Sequence, residues 1–248
     1  MVAEGRLPGV SLSELEDGKC AACIVGKMTR RKFKRNAVRR VRDGVCMVLC
    51  RSDISGPVKP VSLGGSRYFA IVFIDDGSNL LFVSFLKTNN KVFNEFMKLE
   101  ADAGTHHRRT LKAFKSDNGG EYRSKKFDEL LASKGIKHLF SEPYTPEENS
   151  VAERYNRTIL EGARTLLISA RLPGVFWCEA KAFFVYVRNR VTSTITPDNT
   201  PWELWSGKEA DLTHLRVFGS LMYAYVPDVR RDTKLSHKAT SCMMVGFP

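Results

Sequence analysis

Up to about Arg42 the chain shows no sustained apolar rhythm, and from Val45 onward it does. "VCMVLC" (Val45 to Cys50) reads as a buried strand that ends at "RSDISGP". "RYFAIVFID" and "NLLFVSFLK" are two further apolar runs, and the turn-forming "DGSN" (Asp76 to Asn79) between them predicts a hairpin. In "NKVFNEFMKLEADA" the residues Val92, Phe93, Phe96 and Leu99 recur at helical intervals. "TLKAF" (Thr110 to Phe114) and "IKHLF" (Ile136 to Phe140) predict two more strands. Between them "SKKFDELLASKG" predicts a short helix capped by Ser124, packed through Phe127, Leu130 and Leu131, and ended by Gly135. "SEPYTPEEN" is expected to be a loop, because its two prolines resist regular structure. From Asn149 a long helix should run toward Leu172, with Val151, Tyr155, Ile159, Ala163, Leu166 and Ala170 facing inward. "FWCEAKAFFVYVRNR" predicts another helix. Three strands, helix, strand, helix, strand and then helices imply an α/β fold, a mixed sheet covered on both faces.

Charge narrows the reading. In 248 residues the formal net charge is +12, which points to a polyanionic partner, nucleic acid before membrane. The densest cationic stretch is "GKMTRRKFKRNAVRRVR" (Gly26 to Arg42), where Arg30, Arg31 and Lys32 are candidate phosphate contacts. A solvated linker or a nuclear address has the same composition. No basic start followed by an apolar run opens the chain, and "YFAIVFI" is too short to span a bilayer. Six cysteines in a chain of this length do not form a secreted disulfide framework, so an intracellular, reducing setting is expected.

Against that basic background, certain acids stand at strand ends and helix starts. Asp53 follows the first strand, and Asp117 follows the fourth, ahead of Asn118-Gly119-Gly120. Glu153 is expected early in the long helix, on the face opposite Val151 and Tyr155. An α/β sheet gathers distant strand ends into one crevice, and converging carboxylates repel unless cations neutralise them. Oxygen-only sites suit Mg²⁺ or Mn²⁺, and two such ions serve in-line phosphoryl transfer. Taken singly, each acid also has a structural explanation: Asp before Asn-Gly-Gly is a good turn, and Glu early in a helix complements the macrodipole.

Asp117 and Glu153 are separated by 35 residues, and "DNGGEY … PYTPEENSVAERYNRTI" resembles the integrase core of copia-type LTR retrotransposons, within the retroviral integrase superfamily. "SDISGPVKP" with "GGSRYFAIVFIDD" is similar to the family's first-Asp block, and "TPWELWSGKEADLTHLRVFGSLMYAYVP" with "SHKATSCMMVGF" to its segment after the core. "CAACIVGKMTRRKF" resembles the end of the pre-integrase zinc module. The resemblance implies an RNase H-like mixed five-stranded sheet flanked by helices, after a basic, partly irregular N-terminal segment. It implies three parts: residues 1–42 as the remnant of the zinc module and a linker, 43–172 as the catalytic core, and 173–248 as a helical extension. The metal-binding acids fall on Asp53, Asp117 and Glu153, holding two Mg²⁺ or Mn²⁺ ions. Asp75 and Asp76 are rivals for the first position, and the choice of Asp53 rests on the resemblance.

The implied activity is that of a polynucleotidyl transferase, which trims DNA 3′ ends with water and then joins the new 3′-hydroxyl to target DNA. Its partners would be element ends and target DNA, probed by a homo-oligomer in the nucleus after passage in a cytoplasmic particle, with no membrane. Asn156, Arg157 and Arg164 are expected on the exposed face shared with Glu153 as DNA contacts, with Lys115 beside Asp117 as a weaker one. Where relatives tend to have "TPQQNG", this chain has Glu147, Glu148 and Ser150, adding two negative charges. Cys20 and Cys23 have the spacing of half a zinc site, and no histidine precedes His106 to complete it, so bound zinc is not expected. Cys46 and Cys50 fit packing better than a four-Cys site, Cys178 and Cys242 read as core, and His106 and His107 as a polar loop. A nuclease that cuts without joining and a non-catalytic DNA-binding remnant are the alternatives.

Overall fold

The computed structural model describes Gly26 and residues 46–66, 68–88, 91–107, 110–117, 119–140 and 146–247. Five strands form the central sheet: β1 (Leu49–Arg51), β2 (Tyr68–Asp75), β3 (Leu81–Leu86), β4 (Ala113–Ser116) and β5 (Lys137–Phe140). Their spatial order is β3-β2-β1-β4-β5. The first three pair antiparallel, whereas β1, β4 and β5 run parallel. The helices are α1 (Val92–His107), α2 (Lys125–Ser133), α3 (Pro146–Ala170), α4 (Trp177–Asn189) and α5 (Pro201–Ser206). A separate two-stranded sheet, β6 (Leu221–Tyr225) with β7 (Ala239–Met243), follows. The mixed α/β architecture is the one expected from the order of apolar runs.

Alternation along β2 explains why both faces are covered. Phe73 joins Phe96 of α1, Phe114 of β4 and Phe127 of α2 on one side. Its neighbours Val72 and Ile74 point to the other, against Ala152, Tyr155 and Ile159 of α3 and Val185 of α4. The first cluster is dominated by aromatic rings at tilted or edge-on angles, with Phe96 and Phe114 centroids 4.8 Å apart. Asn189, at the end of α4, closes the start of β3 by donating to Leu81 O at 2.8 Å and accepting from Leu81 N at 3.0 Å.

Several boundaries differ from the sequence reading for identifiable reasons. β1 begins at Leu49 rather than Val45, because Met47 has φ +64° and its amide donates to Asp75 Oδ1 at 2.9 Å. The segment is buried as expected, but it enters the sheet through a turn. α1 continues to His107, so the two histidines assigned to a loop end a helix. α3 starts at Pro146, inside the expected loop; proline lacks only an amide hydrogen that the first helical turn leaves unpaired anyway. Glu153 therefore lies about two turns into the helix, beyond the reach of the N-terminal dipole. Cys178 is buried, whereas Cys242 on β7 is exposed, contrary to its assignment to the core. Ser124 caps α2 as expected, accepting from Phe127 N, and Gly135 ends it at φ +66°.

Candidate active site

Register brings the first two acids together. In the parallel pair β1–β4, Arg51 lies opposite Lys115, and Ser52 N donates to Lys115 O at 2.8 Å. Two positions beyond this aligned pair stand Asp53 and Asp117, at the same end of adjacent strands that run about 4.8 Å apart. Parallel pairing makes this possible, since it places both C-terminal strand ends on one edge of the sheet.

Each carboxylate is oriented by a different local device. Asn156, in α3, donates from Nδ2 to Asp53 Oδ2 at 2.6 Å. Asp117 accepts from Gly119 N at 3.0 Å, and a Cβ on Gly119 would approach Asp117 Oδ1 to 3.0 Å and the Glu121 carboxyl to 2.7 Å. Glycine at that position lets the turn fold back onto the acid. Glu153 is exposed one helical turn before Asn156.

Electrostatics tie Asp53 to the other two acids. Burial pushes the Asp53 carboxyl up from 3.8 to about 6; the Asn156 hydrogen bond opposes this, and the charges of Asp117 and Glu153 add to it. Among the described residues no three acidic, histidine or cysteine side chains are closed into a ready-made ion cage.

The residues present fit a hard divalent cation. The donors are carboxylate oxygens, and Asn156 Oδ1 is a buried acceptor with no hydrogen-bond partner. The electrostatics also set an expected pH response. Because folding raises the Asp53 pKa, its contribution to stability is present below the unfolded value of 3.8 and is lost as pH rises through about 6. Thermal unfolding in chelator should show this loss, and added Mg²⁺ should reverse it above the upper pKa; a pH-independent Mg²⁺ effect would disconnect Asp53 from the cation.

The other candidates separate clearly. Asp75 is buried and engaged with the amides of Met47 and Ser78 and the Ser78 hydroxyl, and Asp76 pairs with Arg51 at 3.0 Å. Both carboxylates are engaged by neighbouring groups of the fold. Asn156 is 7% exposed and turned toward Asp53, so its assignment as an exposed DNA contact is corrected. Arg157 and Arg164 are exposed on α3, and Arg164 also donates to Gly26 O at 3.3 Å; Lys115 is half-buried. Cys20, Cys23, Arg30, Arg31 and Lys32 lie outside the described residues, as do the side chains of Glu147, Glu148 and Ser150. Cys46 and Cys50 are buried, and the Cys46 thiol donates to Leu204 O at 3.4 Å. No helix among the described residues is long and apolar enough to cross a membrane.

Residues 50–146 match the integrase core domain family. The chain is 41% identical over 228 residues to the Retrovirus-related Pol polyprotein from transposon TNT 1-94 of Nicotiana tabacum, covering 92% of this chain and 17% of that protein. It is 29% identical over 229 residues to the corresponding polyprotein from transposon RE1 of Arabidopsis thaliana, covering 92% and 15%. Residues 50–146 are an integrase core domain of the retrotransposon type. The chain spans about a sixth of the length of these curated relatives. Its fold is similar to that of a chain in the cryoEM structure of the simian T-cell lymphotropic virus intasome in complex with PP2A regulatory subunit B56 gamma, with a TM-score of 0.55 at 18% identity, covering 89% of this chain and 74% of that one.

Two residues of the site escaped the sequence reading in different ways. Asn156 was placed on the wrong face, although its position three before buried Ile159 was the available signal. Tyr122, wholly buried with its hydroxyl 2.7 Å from that of Ser52, lies within the quoted "DNGGEY", but nothing in the sequence indicates what its hydroxyl meets.

Proposed function

We propose that this integrase core catalyses metal-dependent phosphoryl transfer on DNA, processing 3′ ends and then joining them to a target strand. The observation that carries the proposal is the placement of Asp53 and Asp117 just past the aligned ends of adjacent parallel strands, with Glu153 near enough to raise the Asp53 pKa. Asp53, Asp117 and Glu153 would hold two Mg²⁺ or Mn²⁺ ions. Bound there, such ions supply activation of the attacking oxygen and charge compensation at the departing one.

The chain's own residues do the positioning. Asn156 holds the Asp53 carboxylate in place, and Gly119 N holds that of Asp117. Arg157 and Arg164, on the exposed side of α3, are suited to DNA phosphates, and Lys115 to a phosphate near Asp117. In end processing the oxygen of water forms a bond to phosphorus as the P–O3′ bond breaks. In joining, the freed 3′-hydroxyl attacks a target phosphate, and a target 3′-oxygen leaves. Both steps need only an oxygen nucleophile, so no covalent enzyme intermediate is required. Concerted joining of two DNA ends calls for a multimer of the chain.

Joining of a short duplex to plasmid in Mg²⁺ tests the proposal, with Glu153→Gln as the comparison. Joining by the native chain and its loss in the variant, by about 10³-fold, are the expected results, since such ions contribute several kcal/mol to the transition state. Cleavage without joining would identify a nuclease, and DNA binding without either activity a non-catalytic remnant.

A further inference from the structure

Ser52 and Tyr122 are both fully buried, and their hydroxyls lie 2.7 Å apart. Ser52 immediately precedes Asp53. Tyr122 ends the turn that begins at Asp117: its amide donates to Gly119 O at 3.1 Å, and Gly119 N donates to Asp117 Oδ1 at 3.0 Å. A continuous path of covalent and hydrogen bonds thus connects Asp53 through Ser52, Tyr122 and Gly119 to Asp117. The Tyr122 ring packs against Phe114 and Phe127, with centroids at 5.9 and 6.0 Å, which fixes where its hydroxyl can reach.

The placement matters because the regular ladder stops short of the acids. The amide of Ser52 makes its bond to Lys115 O, and both carboxylates lie beyond it; Asp53 O still accepts from Val72 N of β2 at 3.3 Å, a bond that ties β1 to β2 and not to β4. The hydroxyl pair ties β1 to the turn after β4 at that point. We propose that the Tyr122–Ser52 pair is a positioning element that sets the separation of Asp53 and Asp117, and thereby the site's discrimination between Mg²⁺ and Mn²⁺. This rests on the reading of those acids as metal ligands. Mg²⁺ demands near-ideal octahedral geometry at short distances and is the ion most sensitive to their spacing.

Tyr122→Phe in the full chain removes the hydroxyl and keeps the ring. Mn²⁺ binding is read from the electron paramagnetic resonance of the free ion, and Mg²⁺ binding by competition. Loss of an outer partner of a metal ligand lowers affinity by about tenfold or more, so Mg²⁺ affinity should fall by about that factor and Mn²⁺ affinity by less. Ser52→Ala should reproduce the effect, and the double variant should add little, because both changes break one contact. Phe218→Leu, in a separate hydrophobic cluster around Ala163, Ala180, Phe183 and Met244, controls for general destabilisation and should leave both affinities unchanged. Native Mg²⁺ affinity in Tyr122→Phe, or an equal loss in Phe218→Leu, would overturn the assignment. An Asp53→Asn arm separates the two readings. If that variant binds Mg²⁺ normally, the metal-ligand reading itself fails; if it loses binding while Tyr122→Phe does not, only the positioning role fails.

Discussion

Asp53→Asn should make the protein more stable and unable to join DNA. The native carboxylate is buried and flanked by Asp117 and Glu153, which is why its pKa rises from 3.8 to about 6. A shift of that size corresponds to roughly 2–3 kcal/mol held against the ionised form above the upper pKa. Asparagine removes the charge, keeps the shape, and still offers an oxygen to Asn156 Nδ2. In chelator, variant and native chains should unfold alike below the lower value, and the variant's advantage should grow up to about pH 6. Joining, by contrast, should fall by about 10³-fold or more, since the variant gives up an anionic ion ligand. Denaturation against pH and the joining assay on the same preparations check both halves. A variant that is less stable than the native chain above pH 6 would contradict the electrostatic account.

Phe114→Ala should have the largest effect on stability. Phe114 is fully buried on β4, and its ring lies within 4.8–6.2 Å of Phe96, His138, Phe127, Tyr122 and Phe73. It joins both helices on that side of the sheet to the strand that carries Asp117. Truncating such a residue costs about 3–5 kcal/mol, a large part of the 5–15 kcal/mol that holds a typical domain folded. For a chain of this size the melting temperature should drop by about 10 °C. Phe114→Leu, which leaves a smaller void, should cost much less. A loss below about 1 kcal/mol for the alanine variant would mean that the surrounding rings close the gap.

Much of this architecture was legible because it follows from short-range rules. Apolar runs on either side of a turn signal identified β2 and β3, and helical spacing identified α1. Ser124 and Gly135 marked the ends of α2 through their capping chemistry. The misreadings arose where one residue's tertiary contact overrode its local preference. Met47 left the ladder because Asp75 captured its amide. Asn156 was turned inward because the buried stripe of α3 is centred on Ala152, Tyr155 and Ile159, not on Val151. Lys181 is fully buried on α4 over the Trp177 ring, and burial pushes its pKa down to about 6. The choice of Asp53 over Asp75 came from family resemblance. The geometry now supplies a physical difference between them, one open toward neighbouring acids and the other saturated by amides.

The parallel β1–β4 pair also governs when the crevice comes into being. Cys50 must find Phe114 roughly sixty residues later, and α3 must then fold across the opposite side of the sheet. Contacts of such long range form late, after local hairpins and helices have condensed. A nascent chain still emerging from the ribosome therefore has its first acid without the second or third. The three-acid crevice of the proposed function would be complete only once these late contacts have closed.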